Sequence, residues 1–68
     1  MPFDGPLLRR LRERDGRSQA WVAHEVGVTA QVVSSWESGE YAPTAEHLRA
    51  LAEYFGVTME RFFKETKK

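Results

Sequence analysis

The sequence predicts an all-α domain, a compact set of five short helices around one core. Three observations lead there. Leu48, Leu51, Ala52 and Phe55 recur at i, i+3, i+4 and i+7, the apolar stripe of an amphipathic helix. Residue types that start helices and types that end them alternate along the chain at short intervals. No apolar/polar alternation bounded by hairpin turns marks a strand. The 68 residues suit a single domain, 1–68, and a chain that short buries only a small core.

The elements follow in order. Asp4 caps the first helix, and Pro6 falls in its first turn, where a missing N–H costs little. Leu7, Leu8 and Leu11 give it one apolar face, and Asp15-Gly16 ends it. Ser18 is a good N-cap for a second helix, whose inner face is Val22, Ala23 and Val26. Gly27 stands where a C-terminal glycine should. Thr29 caps a third helix that runs to about Ser38 and is closed by Gly39. Pro43-Thr44 opens the fourth helix, which Gly56 stops. Thr58 caps a short fifth helix carrying Met59, Phe62 and Phe63. The tail, 64–68, is expected to fray.

Composition excludes several classes of function. The chain has no Cys, which removes disulfides, thiolate zinc sites and thiol catalysis. It has no apolar run near the roughly 20 residues of a membrane span and no secretory signal in "MPFDGPLLRR". A cytoplasmic location is expected. His24 and His47 fall on different helices, and no carboxylate pair, phosphate loop or metal-ligand spacing accompanies them. Both are expected to be surface histidines. No catalytic residue, cofactor or metal is expected, and the chain does not read as an enzyme.

Net charge is zero but unevenly spread. Residues 1–20 carry +2, residues 21–60 carry −5, and residues 61–68 carry +3. An acidic middle disfavours strong non-specific DNA binding, because phosphate neutralisation supplies most of that affinity.

Residues 19–38, "QAWVAHEVGVTAQVVSSWES", form the most informative stretch. Two helices joined by a turn of three or four residues cross steeply. The crossing needs a small residue, which Ala23 supplies. The turn needs a residue tolerant of positive φ, which Gly27 supplies. Val22, Val26, Val28, Val33 and Trp36 are apolar at the remaining inner positions. The pattern is that of a helix-turn-helix unit.

With it, residues 7–63 resemble the phage repressor/Cro-type, or XRE-type, helix-turn-helix family. The resemblance rests on "LRRLRERDGRSQ", the two-helix unit, "WESGEYAPT" and "LRALAEYFGVTMERFF". It implies a five-helix, repressor-like domain that dimerises on an approximately palindromic operator and places its third helix in the major groove. It implies that Arg12 and Glu37 form a largely buried ion pair fixing the third helix on the first. It also implies that Gln19, at the start of the second helix, bonds DNA phosphate.

Steps of 100° along the third helix put Thr29, Val32, Val33 and Trp36 on one side and Ala30, Gln31, Ser34, Ser35 and Ser38 on the other. The outward face is small and polar. Gln31 can bond adenine through two hydrogen bonds, serines read bases weakly, and Ala30 can touch a thymine methyl. The candidate base contacts are therefore Thr29 at the helix start with Ala30, Gln31, Ser34 and Ser35. Candidate phosphate contacts are Arg17, Ser18, Gln19, Ser38 and Tyr41, with Arg9, Arg10, Arg14 and the tail lysines as the other cations.

Three places depart from the family's pattern. Where basic residues usually follow the third helix, this chain has Ser38, Glu40 and Tyr41. Arg17 replaces the Leu that would staple to Val22. Trp21 replaces a polar residue, and it lies either against the first helix or in a protein contact surface. The expected function is that of a sequence-specific, double-stranded-DNA-binding transcriptional regulator, a homodimer joined through the fifth helix and the Phe62/Phe63 region. The alternative is a protein-binding module on the same fold with little or no DNA binding, antitoxin-like or an accessory domain, presenting Trp21, Tyr41, Tyr54 and Phe62/Phe63 to a partner and its acidic middle to a basic one.

Overall fold

A computed structural model describes residues 2–64. Its elements are α1 (Gly5–Arg14), α2 (Gln19–Val26), α3 (Ala30–Ser38), α4 (Ala45–Phe55) and a single 3-10 turn, Met59–Phe62. The caps of the four α-helices form. Asp4 accepts from the Leu7 N–H at 3.1 Å, Ser18 from Trp21 at 3.0 Å, Thr29 from Val32 at 3.3 Å, and Thr44 from His47 at 3.4 Å. Each satisfies an N–H that has no partner inside its helix. Gly27 joins α2 to α3 at φ 85°, a conformation that would cost a side-chain-bearing residue roughly 1 kcal/mol or more.

Each helix contributes to the core. Leu7, Leu8 and Leu11 come from α1, Val22 and Ala23 from α2, Val33 and Trp36 from α3, and Leu48, Leu51, Ala52 and Phe55 from α4. Trp36 and Phe62 are the largest fully buried side chains among the described residues. Burying each contributes on the order of 1.5–3 kcal/mol. The helix α3 packs mainly against α2 and α1. Val26, Val28 and Val32, expected to face inward, are half-buried at the rim of that core.

The fifth helix is corrected to one 3-10 turn. Thr58 makes no side-chain cap bond, and Phe63 is already extended at φ −113° and ψ 132°. The competing demand is a pairing with the start of the chain. Phe3 and Phe63 form an isolated antiparallel bridge. The Asp4 N–H donates to the Phe62 carbonyl at 2.6 Å, and the Lys64 N–H donates to the Pro2 carbonyl at 2.9 Å. Phe3 stacks on Phe62 with ring centres 5.7 Å apart. Continuing a helix past Phe62 would break this pairing. Of the tail expected to fray, 65–68 lie outside the described residues.

Gly5, which drew no notice as sequence, is buried where α1 begins against the end of α3. A Cβ there would overlap the Trp36 and Glu37 carbonyl oxygens at distances real Cβ atoms do not reach. Backbone atoms yield less readily than a flexible side chain. Gly5→Ala should therefore destabilise by about 1–3 kcal/mol, although alanine is the better helix former. Urea and thermal unfolding measure it. A Gly5→Ala chain as stable as the parent would show that α1 and α3 do not meet this closely.

Candidate nucleic-acid interface

The outward face of α3 is built as expected at Gln31 and Ser34, which are exposed, and at Ala30, which is half-buried. Thr29 is exposed at the helix start, with its Oγ1 accepting from Val32. Ser35 is corrected: it is buried and cannot touch a base. It stands 100° from Trp36, on the flank of the inner face. The chain that reverses at Gly39 closes onto it, the Glu40 N–H donating to the Ser35 carbonyl at 2.9 Å. Ser38 is exposed, but its hydroxyl donates to the same carbonyl at 3.2 Å. A phosphate would have to displace that bond.

The Arg12–Glu37 pair forms. Arg12 Nε donates to Glu37 Oε2 at 2.7 Å and an Nη donates to Oε1 at 3.2 Å, the two-pronged geometry only arginine offers. The side chains are 13% and 5% exposed. The hydrogen bond to Glu37 raises the Arg12 pKa further above its ordinary value, with burial opposing. Gln19 joins the pair, its Nε2 donating to Glu37 Oε1 at 3.0 Å. One of its two amide N–H groups is therefore held by the protein, leaving the other and the backbone N–H for a phosphate. The other Arg12 Nη donates to the Arg17 carbonyl at 2.8 Å. One guanidinium thus ties α1 to the end of α3 and to the entry of α2. A shallow groove lined by Arg9, Arg12, Gln19, Ser34, Glu37 and Ser38 opens beside this cluster.

Trp21 lies neither against α1 nor free. It is half-buried and packs on Tyr54 of α4, with ring centres 5.1 Å apart. The Arg17 guanidinium lies over the Trp21 ring, 4.1 Å from its centre. Ser18 keeps a hydroxyl hydrogen free to donate, since its oxygen accepts from Trp21. Tyr41 is half exposed and is the sole large hydrophobic residue that is exposed among those described.

The expected dimer and partner surface is corrected in part. Phe62 is fully buried and Phe63 half-buried, because Phe3 and the bridge cover them. Tyr54 and Trp21 are half-buried against one another. His24 is exposed as expected, whereas the half-buried His47 ring covers Trp36 at 5.6 Å. Among the described residues no group of three or more His, Cys, Asp or Glu could hold a metal. No described helix is long and apolar enough to cross a membrane.

The helix-turn-helix family model matches residues 8–62, nearly the whole fold. The chain belongs to this family, in its XRE-type branch. Among XRE-type relatives, the HTH-type transcriptional regulator PuuR of Escherichia coli is 30% identical over 64 residues. That is 94% of this chain but 35% of PuuR, so the chain spans about a third of that relative. The uncharacterised HTH-type transcriptional regulator YgzD of Bacillus subtilis is 36% identical over 56 residues, 82% of this chain and 85% of YgzD. The P22 c2 repressor, solved in complex with a synthetic operator, superposes with a TM-score of 0.87 at 28% identity, covering 94% of this chain and 97% of the repressor.

The buried pair in this XRE-type domain should behave as a unit. Arg12→Met or Glu37→Met alone leaves the other charge stranded and should cost about 2–4 kcal/mol in urea unfolding. The double substitution should recover most of that loss. A double variant that loses the full sum of the two single losses would mean the two charges are not coupled.

Proposed function

We propose that this chain is a sequence-specific DNA-binding transcriptional regulator that reads the major groove with α3. The observation that carries this reading is the outward face of α3. Ala30, Gln31 and Ser34 leave it small and polar, and the helix beneath them is locked to α1 and α2 through Arg12, Glu37 and Gln19. Nothing bulky on that face holds bases at a distance, and Gln31 offers the paired donor and acceptor that adenine matches. Likeness to the operator-bound P22 c2 repressor supports DNA as the partner.

Around that helix, the backbone N–H of Gln19 and the hydroxyl of Ser18 face a phosphate at the start of α2, where helix N–H groups and the helix dipole favour an anion. Arg9, beside the groove that Ser34 and Ser38 line, and Arg17 are the nearest cations, and Tyr41 adds a neutral donor. Two copies bind an approximately palindromic site, with α3 of each in successive major grooves about one helical turn apart.

The protein-binding alternative loses most of its surface, since Phe62 is buried and Trp21 and Tyr54 cover each other.

Selecting bound duplexes from a random pool tests this reading. A half-site repeat should emerge, bound by two chains per duplex. Gln31→Ala should lose about 1–3 kcal/mol at one base position and relax selectivity there. The slope of log K against log salt should be shallow, because few cations reach phosphate. A slope of about −7 or steeper, which implies eight or more neutralised phosphates, or selectivity unchanged in Gln31→Ala, contradicts the reading.

A further inference from the structure

We infer that Trp21 is a positioning residue: it holds the Arg17 guanidinium in place to take a DNA phosphate at the start of α2. This rests on the DNA-binding reading above and says where that reading's missing phosphate clamp is.

Three observations converge on Arg17. The first is that it forms no close ion pair. Arg9, Arg12, Arg14 and Arg49 each lie against a carboxylate, at 3.0, 2.7, 2.9 and 3.7 Å respectively. Arg17, like Arg10 and Arg61, has no carboxylate within 4 Å among the described residues, and its charge reaches Asp15 only at longer range; the next two observations set it apart from those two. The second is its side chain, which is not loose. The guanidinium lies 4.1 Å from the centre of the Trp21 ring, and Trp21 is backed by Tyr54, itself edge-on to the core residue Phe55 at 4.9 Å. The third is its backbone. The Arg17 N–H donates to the Arg12 carbonyl at 3.0 Å, and the Arg17 carbonyl accepts from the Arg12 guanidinium at 2.8 Å. The same Arg12 holds Glu37 of α3. Arg17 is therefore fixed at both ends relative to the helix proposed to read bases.

A stacked guanidinium keeps its edge N–H groups in the plane and open to a phosphate, whereas its face is satisfied by the ring. Holding the side chain in advance removes part of the ordering cost of binding. Position matters as well. Arg17 immediately precedes the Ser18 cap, so its charge adds to the free N–H groups of the first turn of α2. On the far side of the interface Glu40 stands where a cation would otherwise hold phosphate. The stack compensates from the opposite end.

The test has an arm without DNA and an arm with it. In the free chain, NMR should find the Arg17 δ protons shifted upfield by the Trp21 ring, and Trp21→Leu should remove the shift. With the duplex selected from the random pool, Arg17→Gln should weaken binding to all sequences alike and make the salt slope shallower by about 0.9. Trp21→Leu should weaken binding roughly two- to fivefold, the equivalent of an exposed cation–π contact, and Trp21→Tyr should restore most of it. In the Arg17→Gln background Trp21→Leu should cost nothing further. If Trp21→Leu does not fold, Trp21→Met takes its place in the cycle. An equal loss in both backgrounds, an unchanged slope in Arg17→Gln, or an unshifted Arg17 overturns the inference while leaving the DNA reading intact. A parent chain that binds no duplex overturns the DNA reading itself.

Discussion

A carboxylate that is almost wholly buried needs a partner, and Glu37 at the end of α3 imposes that constraint on the rest of the domain. Arg12 meets it with two hydrogen bonds and Gln19 with a third. The remaining Arg12 donor goes to the Arg17 carbonyl, so charge satisfaction and chain geometry become one problem. Helix α3 cannot rotate or slide on α1 without stranding Glu37, and α2 cannot shift without losing Gln19 and the Arg17 carbonyl. Apolar packing around Trp36 supplies more energy, but it is non-directional. The ion pair adds direction. Gly5 allows it, since only without a Cβ can α1 begin so close to the last carbonyls of α3.

The orientation of α3 decides which residues face outward, and with them the electrostatics of the proposed interface. The outward residues are uncharged, and the segment after α3 is acidic at Glu40. Positive charge sits instead on α1 and at the entry to α2, where Arg9 borders the groove and Arg17 lies on Trp21. Base reading and phosphate holding are thus separated, one on α3 and the other on the neighbouring elements that Arg12 ties to it.

The local features of the fold were legible because they depend on neighbours in sequence. Ser18, Thr29 and Thr44 cap the helices expected of them, and Gly27 and Gly39 close two of them. The features that were not legible depend on partners far away in the chain. Thr58 looked like a cap, but Phe63 is drawn into an extended pairing with Phe3, sixty residues earlier, and the fifth helix shrinks to one turn. A bridge of one residue on each side leaves no alternating pattern to read. Phe62 looked like an available surface residue for the same reason, because the covering ring is that of Phe3. The site shows the same division. Gln31 and Ser34 follow from helical steps alone, whereas the burial of Ser35 depends on how the chain reverses beyond Gly39, and the bond from Gln19 to Glu37 depends on how α2 lies on α3.

A core this small makes the buried pair a poor source of stability, since apolar residues of similar volume can replace such a pair at little or no cost. Its value has to lie in geometry. An apolar pair at positions 12 and 37 could pack in several rotamers and would leave Gln19 and the Arg17 carbonyl without their donor or acceptor. The domain would still fold around Trp36, but α3 would be free to settle over a range of angles. A helix that reads bases through short side chains tolerates little of that freedom, because Gln31 and Ser34 cannot reach across a gap as a long arginine can. The smaller the reading surface, the more tightly the helix beneath it must be held. The short outward face of α3 and the buried charge pair behind it are therefore two parts of one arrangement.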